Sequence, residues 1–174
     1  MSDASELQQL IGDYEVSKTL LVVPYPYVDG EAEKFIASVT ADRAGQASVH
    51  WAITLAGSMI GGAGVGISEA TRSGTVGYWL GRDYWGQGYM TEALRAILRY
   101  CFERRGLKSV LACHFASNPA SGRVMTKAGM TQSHVCQRAY ETKEGIQDAV
   151  HYQITVDQWR KIESLASNSD ARQF

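Results

Sequence analysis

Apolar side chains recur at three- and four-residue steps in two parts of this chain and gather into short β-rich runs through much of the rest. Met90, Leu94, Ile97, Leu98 and Cys101 form one stripe, while Glu92, Arg95, Arg99 and Glu103 face away from it. That pattern predicts an amphipathic helix from Met90, ended by Gly106 as its C′ residue. Ala32, Phe35, Ile36 and Val39 make a second stripe, so the chain is expected to turn helical from about Asp29, after the extended loop PYPY at 24–27. ASELQQLIG (4–12), closed by Gly12, SNPASGRVMTKAG, closed by Gly129, and DQWRKIESLA (157–166) read as further short helices.

Strands are predicted at SVHWAITL (48–55), the glycine-loaded MIGGAGVGI (59–67), GTVGYWLG (74–81) and KSVLACHF (108–115). Ala56-Gly57-Ser58 and SEATRSG read as turns, and SHVCQRAYETKEGIQDAVHYQIT as a hairpin turning near Lys143-Glu144-Gly145. The order α-α-β-β-β-α-β-α-β-β-α implies a mixed α/β sheet with helices packed against it.

Length narrows the organisation. A chain of 174 residues, 45% apolar and 20% charged, accommodates one domain with a continuous core, expected over 1–166, with a flexible tail over 167–174. A net charge of −1 gives no basic excess for nucleic acid. TLLVV at 19–23 is too short to span a bilayer, and the polar start MSDASELQQL is unlike a secretory signal. A cytoplasmic protein with no membrane association is expected. Cys101, Cys113 and Cys136 cannot form a disulfide framework by spacing, and His50, His114, His134 and His151 are as dispersed; no metal site is expected.

WGQGYMTEAL (85–94) changes the picture. A strand, then Gly86 and Gly88, then a helix start is the recipe for an anion site: first-turn amides are unpaired, the helix dipole is positive there, and glycine permits close approach. A Walker loop is excluded because no Gly-Lys-Ser/Thr follows. The dinucleotide fingerprint fails because Thr91 stands where it needs Gly or Ala.

YWLGRDYWGQGYMTEAL followed by SNPASGRVMTKAGM resembles the acyl-CoA loop and the following strand and helix of the GNAT acetyltransferase superfamily, in the branch of the ribosomal-protein N-terminal acetyltransferases. The resemblance spans nearly the whole chain. It implies a GNAT-like, mostly antiparallel central sheet flanked by helices, here lacking the usual first strand. Trp85 stands where the loop usually has Arg or Gln, and Met90 where it usually has Gly or Ala. The Met90 side chain is positioned to crowd a pyrophosphate.

The resemblance also assigns roles, with acetyl-CoA as cosubstrate. Backbone groups of Tyr78, Trp79 and Leu80 are expected to bond the pantetheine arm as an added strand. Those of Gly86, Gln87, Gly88, Tyr89, Met90 and Thr91 would cradle the pyrophosphate. Asn118 is expected to bond the pantetheine, although Asn-Pro also simply starts a helix. Many relatives place a tyrosine where this chain has Met125, so Ser121 becomes the candidate proton donor to the leaving sulfur. Tyr25 and Tyr27 are expected to shape the acceptor pocket. Thr75 and Cys113 stand where relatives carry a glutamate base, and His114 serves either as a relay or as a packed strand residue, so no base is assigned. Direct transfer of acetyl to a primary amine, a protein N-terminus or a small molecule, is expected. A non-catalytic CoA-binding sensor or subunit is the alternative, and a homodimer stays open.

Overall fold

The computed structural model describes residues 2–42 and 47–170. Helix α1 (Ser2–Ile11) buries Ala4, Leu7 and Ile11, three and four residues apart. Asp13 then caps one extra turn, α2 (Tyr14–Ser17), by accepting from the Glu15 amide at 2.7 Å. The helix expected from Asp29 is α3 (Glu31–Asp42). The stretch PYPYVDGEAEKFIASVTADRA, within which that helix was expected, ends at residues 43 and 44, which lie outside the described residues. These helices meet around Leu7, Ile11, Val16, Ala32 and Met59.

A meander follows, β1 (Ser48–Leu55), β2 (Ser58–Ser68) and β3 (Ser73–Leu80). Next come α4 (Tyr89–Arg99), which runs on into a π-helical turn over Tyr100–Arg104, then β4 (Ser109–Phe115) and α5 (Pro119–Lys127). The chain closes with β5 (Thr131–Thr142), β6 (Gly145–Thr155) and α6 (Val156–Asp170). Helix α6 therefore carries part of the segment expected to be tail. Residues 171–174 lie outside the described part.

The strands form one sheet in the order β1-β2-β3-β4-β6-β5. Only β3 and β4 are parallel; every other neighbouring pair is antiparallel. This is the mixed, mostly antiparallel sheet flanked by helices that the sequence implied. Strand β1 is an outer strand, and among the described residues no strand lies beyond it.

The α4 stripe closes the core. Leu94, Leu98 and Cys101 meet Val65, Val110 and Ile154, all at most 1% exposed. Burying one leucine so fully contributes about 1.5–3 kcal/mol, which fixes α4 against β3 and β4 and so fixes the turn that leads into it. Among the described residues, no helix is long and apolar enough to cross a membrane.

Candidate active site

The strand β3 and the helix α4 are joined by a turn whose backbone favours glycine. Gly86 has φ +74° and Gly88 has φ +90°, and a Cβ on either would meet nothing within 4 Å. The requirement is therefore conformational, and the space beside both residues is open. Gly88 is the N-cap of α4, with no side-chain cap, and the first helical bond runs from the Glu92 amide to the Gly88 carbonyl at 3.1 Å. The amides of Tyr89, Met90 and Thr91 precede that bond and have no acceptor within the helix. Gln87 Nε2 braces the turn by donating to the Asp83 carbonyl at 2.8 Å. The Met90 side chain is 6% exposed and packs with Ile60 and Leu80. It points into the core.

Alongside this turn the sheet splits. Strands β3 and β4 pair only at Ser73, Gly74 and Thr75 with Ser109, Val110 and Leu111. Beyond Thr75 the segment Val76–Leu80 stays bonded to β2, while Ala112–Phe115 stays bonded to β6. A gap opens between them, edged by backbone groups that no strand uses.

Strand alternation decides which groups face the gap. The Gly81 amide donates to the Ile60 carbonyl at 2.9 Å, so backbone groups two residues back, at Trp79, also turn toward β2. Those of Tyr78 and Leu80 turn toward the gap. Trp79 was expected to offer its backbone there; instead its backbone serves β2, and its side chain packs in the α1–α3 cluster. The Leu80 carbonyl is already taken by Trp85 Nε1, which donates at 2.8 Å, and this leaves the Leu80 amide, with that of Tyr78, as a donor on that edge.

The Tyr78 side chain, which the sequence reading did not single out, reaches across to α5. Its hydroxyl lies 2.9 Å from Ser121 Oγ and 3.1 Å from the Ser121 carbonyl, reaching from β3 to the first turn of α5. Burial pushes the Tyr78 phenol up to about 12; the bond to Ser121 opposes that shift and Tyr152 adds to it. The phenol is protonated at neutral pH and acts as a donor. Met125 is 1% exposed in the core.

Helix α5 is set by its own start. Asn118 accepts from the Ser121 amide through its side chain at 3.4 Å, and Pro119 follows at the first helical position. Asn118 thus holds Ser121 in place as an N-cap. On the other flank of Ser121, a Cβ at Gly122 would lie 2.6 Å from His114 Nε2 and 3.0 Å from the Tyr152 hydroxyl. His114 Nδ1 sits 2.8 Å from the Phe115 carbonyl, which it satisfies as a donor and leaves Nε2 with the lone pair. His114 is therefore both packed and directed at α5.

Near Tyr25, a bridge joins distant parts of the chain. Lys143, at the β5–β6 tip, donates to the carbonyls of Ser17 at 2.8 Å and Leu20 at 3.1 Å; burial pushes its ammonium pKa down. The Tyr14 hydroxyl donates to Glu144 at 3.5 Å, and the Tyr14 ring meets Tyr25 edge-on at 4.9 Å. Tyr25 is exposed beside this bridge. Tyr27, expected to share its role, is half-buried and packs with the α1–α3 cluster instead. His134, Cys136 and His151, dispersed along the sequence, converge on the β5–β6 pair.

The sheet thus splits between its two parallel strands, with an uncapped helix start at the mouth of the split. The family model of the acetyltransferase (GNAT) domain matches residues 1–131, and the chain belongs to that family. It is 35% identical over 89 residues to the FsC-acetyl coenzyme A-N(2)-transacetylase of Aspergillus fumigatus, covering 50% of this chain and 38% of that one. It is 25% identical over 93 residues to the ribosomal N-acetyltransferase candidate YdaF of Bacillus subtilis, covering 53% of this chain and 51% of that protein. The chain thus spans about half or less of the length of these relatives. The structure of RimL, a ribosomal L7/L12 α-N-protein acetyltransferase in complex with coenzyme A, superposes with a TM-score of 0.81. That likeness has 21% identity, over 90% of each chain.

Proposed function

We propose that this chain transfers the acetyl group of acetyl-CoA directly to a primary amine, a peptide N-terminus or a small molecule, with no acyl-enzyme. The observation that carries the reading is the gap between Val76–Leu80 and Ala112–Phe115. The edge of β3 there offers the pantetheine arm a strand-like partner through the backbone of Tyr78. The amides of Tyr89, Met90 and Thr91 receive the pyrophosphate, with the open space beside Gly86 and Gly88 admitting it.

Acetyl-CoA supplies an activated thioester carbonyl. The Leu80 amide faces the place where charge on that carbonyl oxygen builds as a neutral amine attacks, and it stabilises the charge by donating to it. Ser121 Oγ then protonates the departing sulfur as the carbon–sulfur bond breaks, and the Tyr78 hydroxyl at 2.9 Å replaces the Ser121 proton. The amine nitrogen forms the amide bond and gives one proton to water, which returns it to the Tyr78–Ser121 pair. Tyr25, exposed beside the Lys143 bridge, borders the acceptor's path.

The test is thiol release from acetyl-CoA across a panel of small amines and peptides with free N-termini. Amine-dependent release with intersecting initial-rate lines supports direct transfer. Parallel lines, the pattern of an acyl-enzyme, contradict it. Coenzyme A binding without turnover on any amine returns the chain to the sensor alternative.

A further inference from the structure

On the β5–β6 pair, one strand in from the Ala112–Phe115 edge of the gap, three soft and borderline ligands converge. His134 and Cys136 are two residues apart on β5, so their side chains leave the same face. His151 on β6 is the cross-strand partner of His134. One ligating atom from each of the three lies within 4.8 Å of the other two, and the two imidazoles stack with centroids 4.5 Å apart and 3° between planes.

A neighbouring hydroxyl orients the set. Ser133 Oγ donates to the His151 carbonyl at 3.2 Å and lies 3.0 Å from His134 Nδ1. With its one proton committed to the carbonyl, Ser133 Oγ accepts from Nδ1–H, which leaves His134 Nε2 with its lone pair outward. Cys113 on β4 pairs with His151 and shares its face, one strand further along. The register shifts at Gln132/His134 and Cys136/Tyr140 bracket the two β5 ligands and re-aim their side chains at this point.

The geometry points to a binding site for a single borderline transition-metal cation of the zinc(II) class, held by His134, Cys136 and His151 with a fourth position open to water. Two imidazoles and a thiolate are the donor set such an ion prefers. Ligand atoms around tetrahedral zinc stand roughly 3.5 Å apart, given bonds of about 2.0–2.3 Å. Reaching that spacing requires the two stacked imidazoles to turn out of their parallel planes so that their lone pairs converge on one ion beside the Cys136 sulfur. On binding, the Cys136 thiol releases its proton to solvent and its sulfur bonds the metal. His134 is exposed and Cys136 and His151 are half-buried, so the ion and its water have access. The site ties β5 to β6 apart from Tyr78 and Ser121, and it needs no coenzyme A.

The intact chain, freed of metal with a chelator, is titrated with zinc(II) against a chromophoric competitor and separately with cobalt(II), in the absence of coenzyme A. Saturable zinc binding is expected, and it raises the melting temperature. The cobalt form is expected to show a thiolate-to-metal charge-transfer band in the near ultraviolet. Cys136→Ser removes that band, and His134→Gln and His151→Gln each weaken zinc binding at least about tenfold. His50→Gln and Cys113→Ser leave both readouts unchanged. Zinc affinity unaltered in Cys136→Ser and His151→Gln overturns the proposal, as does a wild-type cobalt spectrum without the thiolate band. That spectrum is read on the unaltered chain and does not depend on any variant folding.

Discussion

The hydroxyls of Tyr78 and Ser121 lie 2.9 Å apart and join the free edge of β3 to the first turn of α5 across the opened sheet. If the pair protonates the leaving sulfur, each member loses its function without the other. Ser121→Ala and Tyr78→Phe are each expected to lower kcat by about 10²-fold while leaving the KM for acetyl-CoA nearly unchanged. The double variant should cost little more than either single one, because the two act as a unit. Steady-state kinetics on the four proteins checks this, and fully additive losses would separate the two roles.

The glycine turn is tested by affinity. Gly88→Ala creates no collision, but it forces an L-residue to φ +90°, at a cost of roughly 1–2 kcal/mol. The turn relaxes by rotating its amides away from the pyrophosphate. Calorimetry should show coenzyme A binding weakened by about tenfold or more, the equivalent of about 1.4 kcal/mol, with only a modest fall in melting temperature.

Much of the fold was legible because α4, α3 and the strands carry clear periods, and glycines at 57, 106, 129 and 145 mark the turns between them. Helix α2 was not legible: four residues held by the Asp13 cap are too short to show a period. The anion turn could be read from WGQGY, but the roles of its neighbours depend on parity. Trp79 faces β2 and Tyr78 the gap through simple alternation, a signal present in GTVGYWLG that a list of motif residues ignores. The Tyr78–Ser121 bond and the meeting of His134 with His151 join residues 43 and 17 positions apart, and only the folded arrangement of the strands brings them together.

Gly122 is required for space. A Cβ there would lie 2.6 Å from His114 Nε2 and 3.0 Å from the Tyr152 hydroxyl. Gly122→Ala should destabilise the fold by about 1–3 kcal/mol and displace the adjacent Ser121. Thermal melting and kcat are expected to fall together, and an unchanged melting temperature would show that the site has slack.

The Tyr78 phenol also predicts a pH dependence. Its pKa is raised from the ordinary value of 10.0 to about 12 in the folded state, so folding disfavours the phenolate. Its contribution to stability is complete below the ordinary value and is lost as pH rises through the folded one. Denaturant titrations across that window should show a decline that is reduced in Tyr78→Phe. Identical profiles for the two proteins would place the phenol in a wetter environment.

The hairpin bridge predicts a separation of the two substrates. Lys143→Met removes the bonds to the Ser17 and Leu20 carbonyls and loosens the β5–β6 tip beside Tyr25. The KM for the amine should rise several-fold while the KM for acetyl-CoA stays constant, as measured by varying each substrate at a fixed level of the other.

The most direct measurement is a crystal structure of the chain with coenzyme A. The account predicts pyrophosphate oxygens within hydrogen-bond distance of the amides at the start of α4, pantetheine along the free edge of β3, and sulfur beside Ser121 Oγ. Coenzyme A bound elsewhere, or a gap between β3 and β4 left empty at saturating ligand, would contradict it.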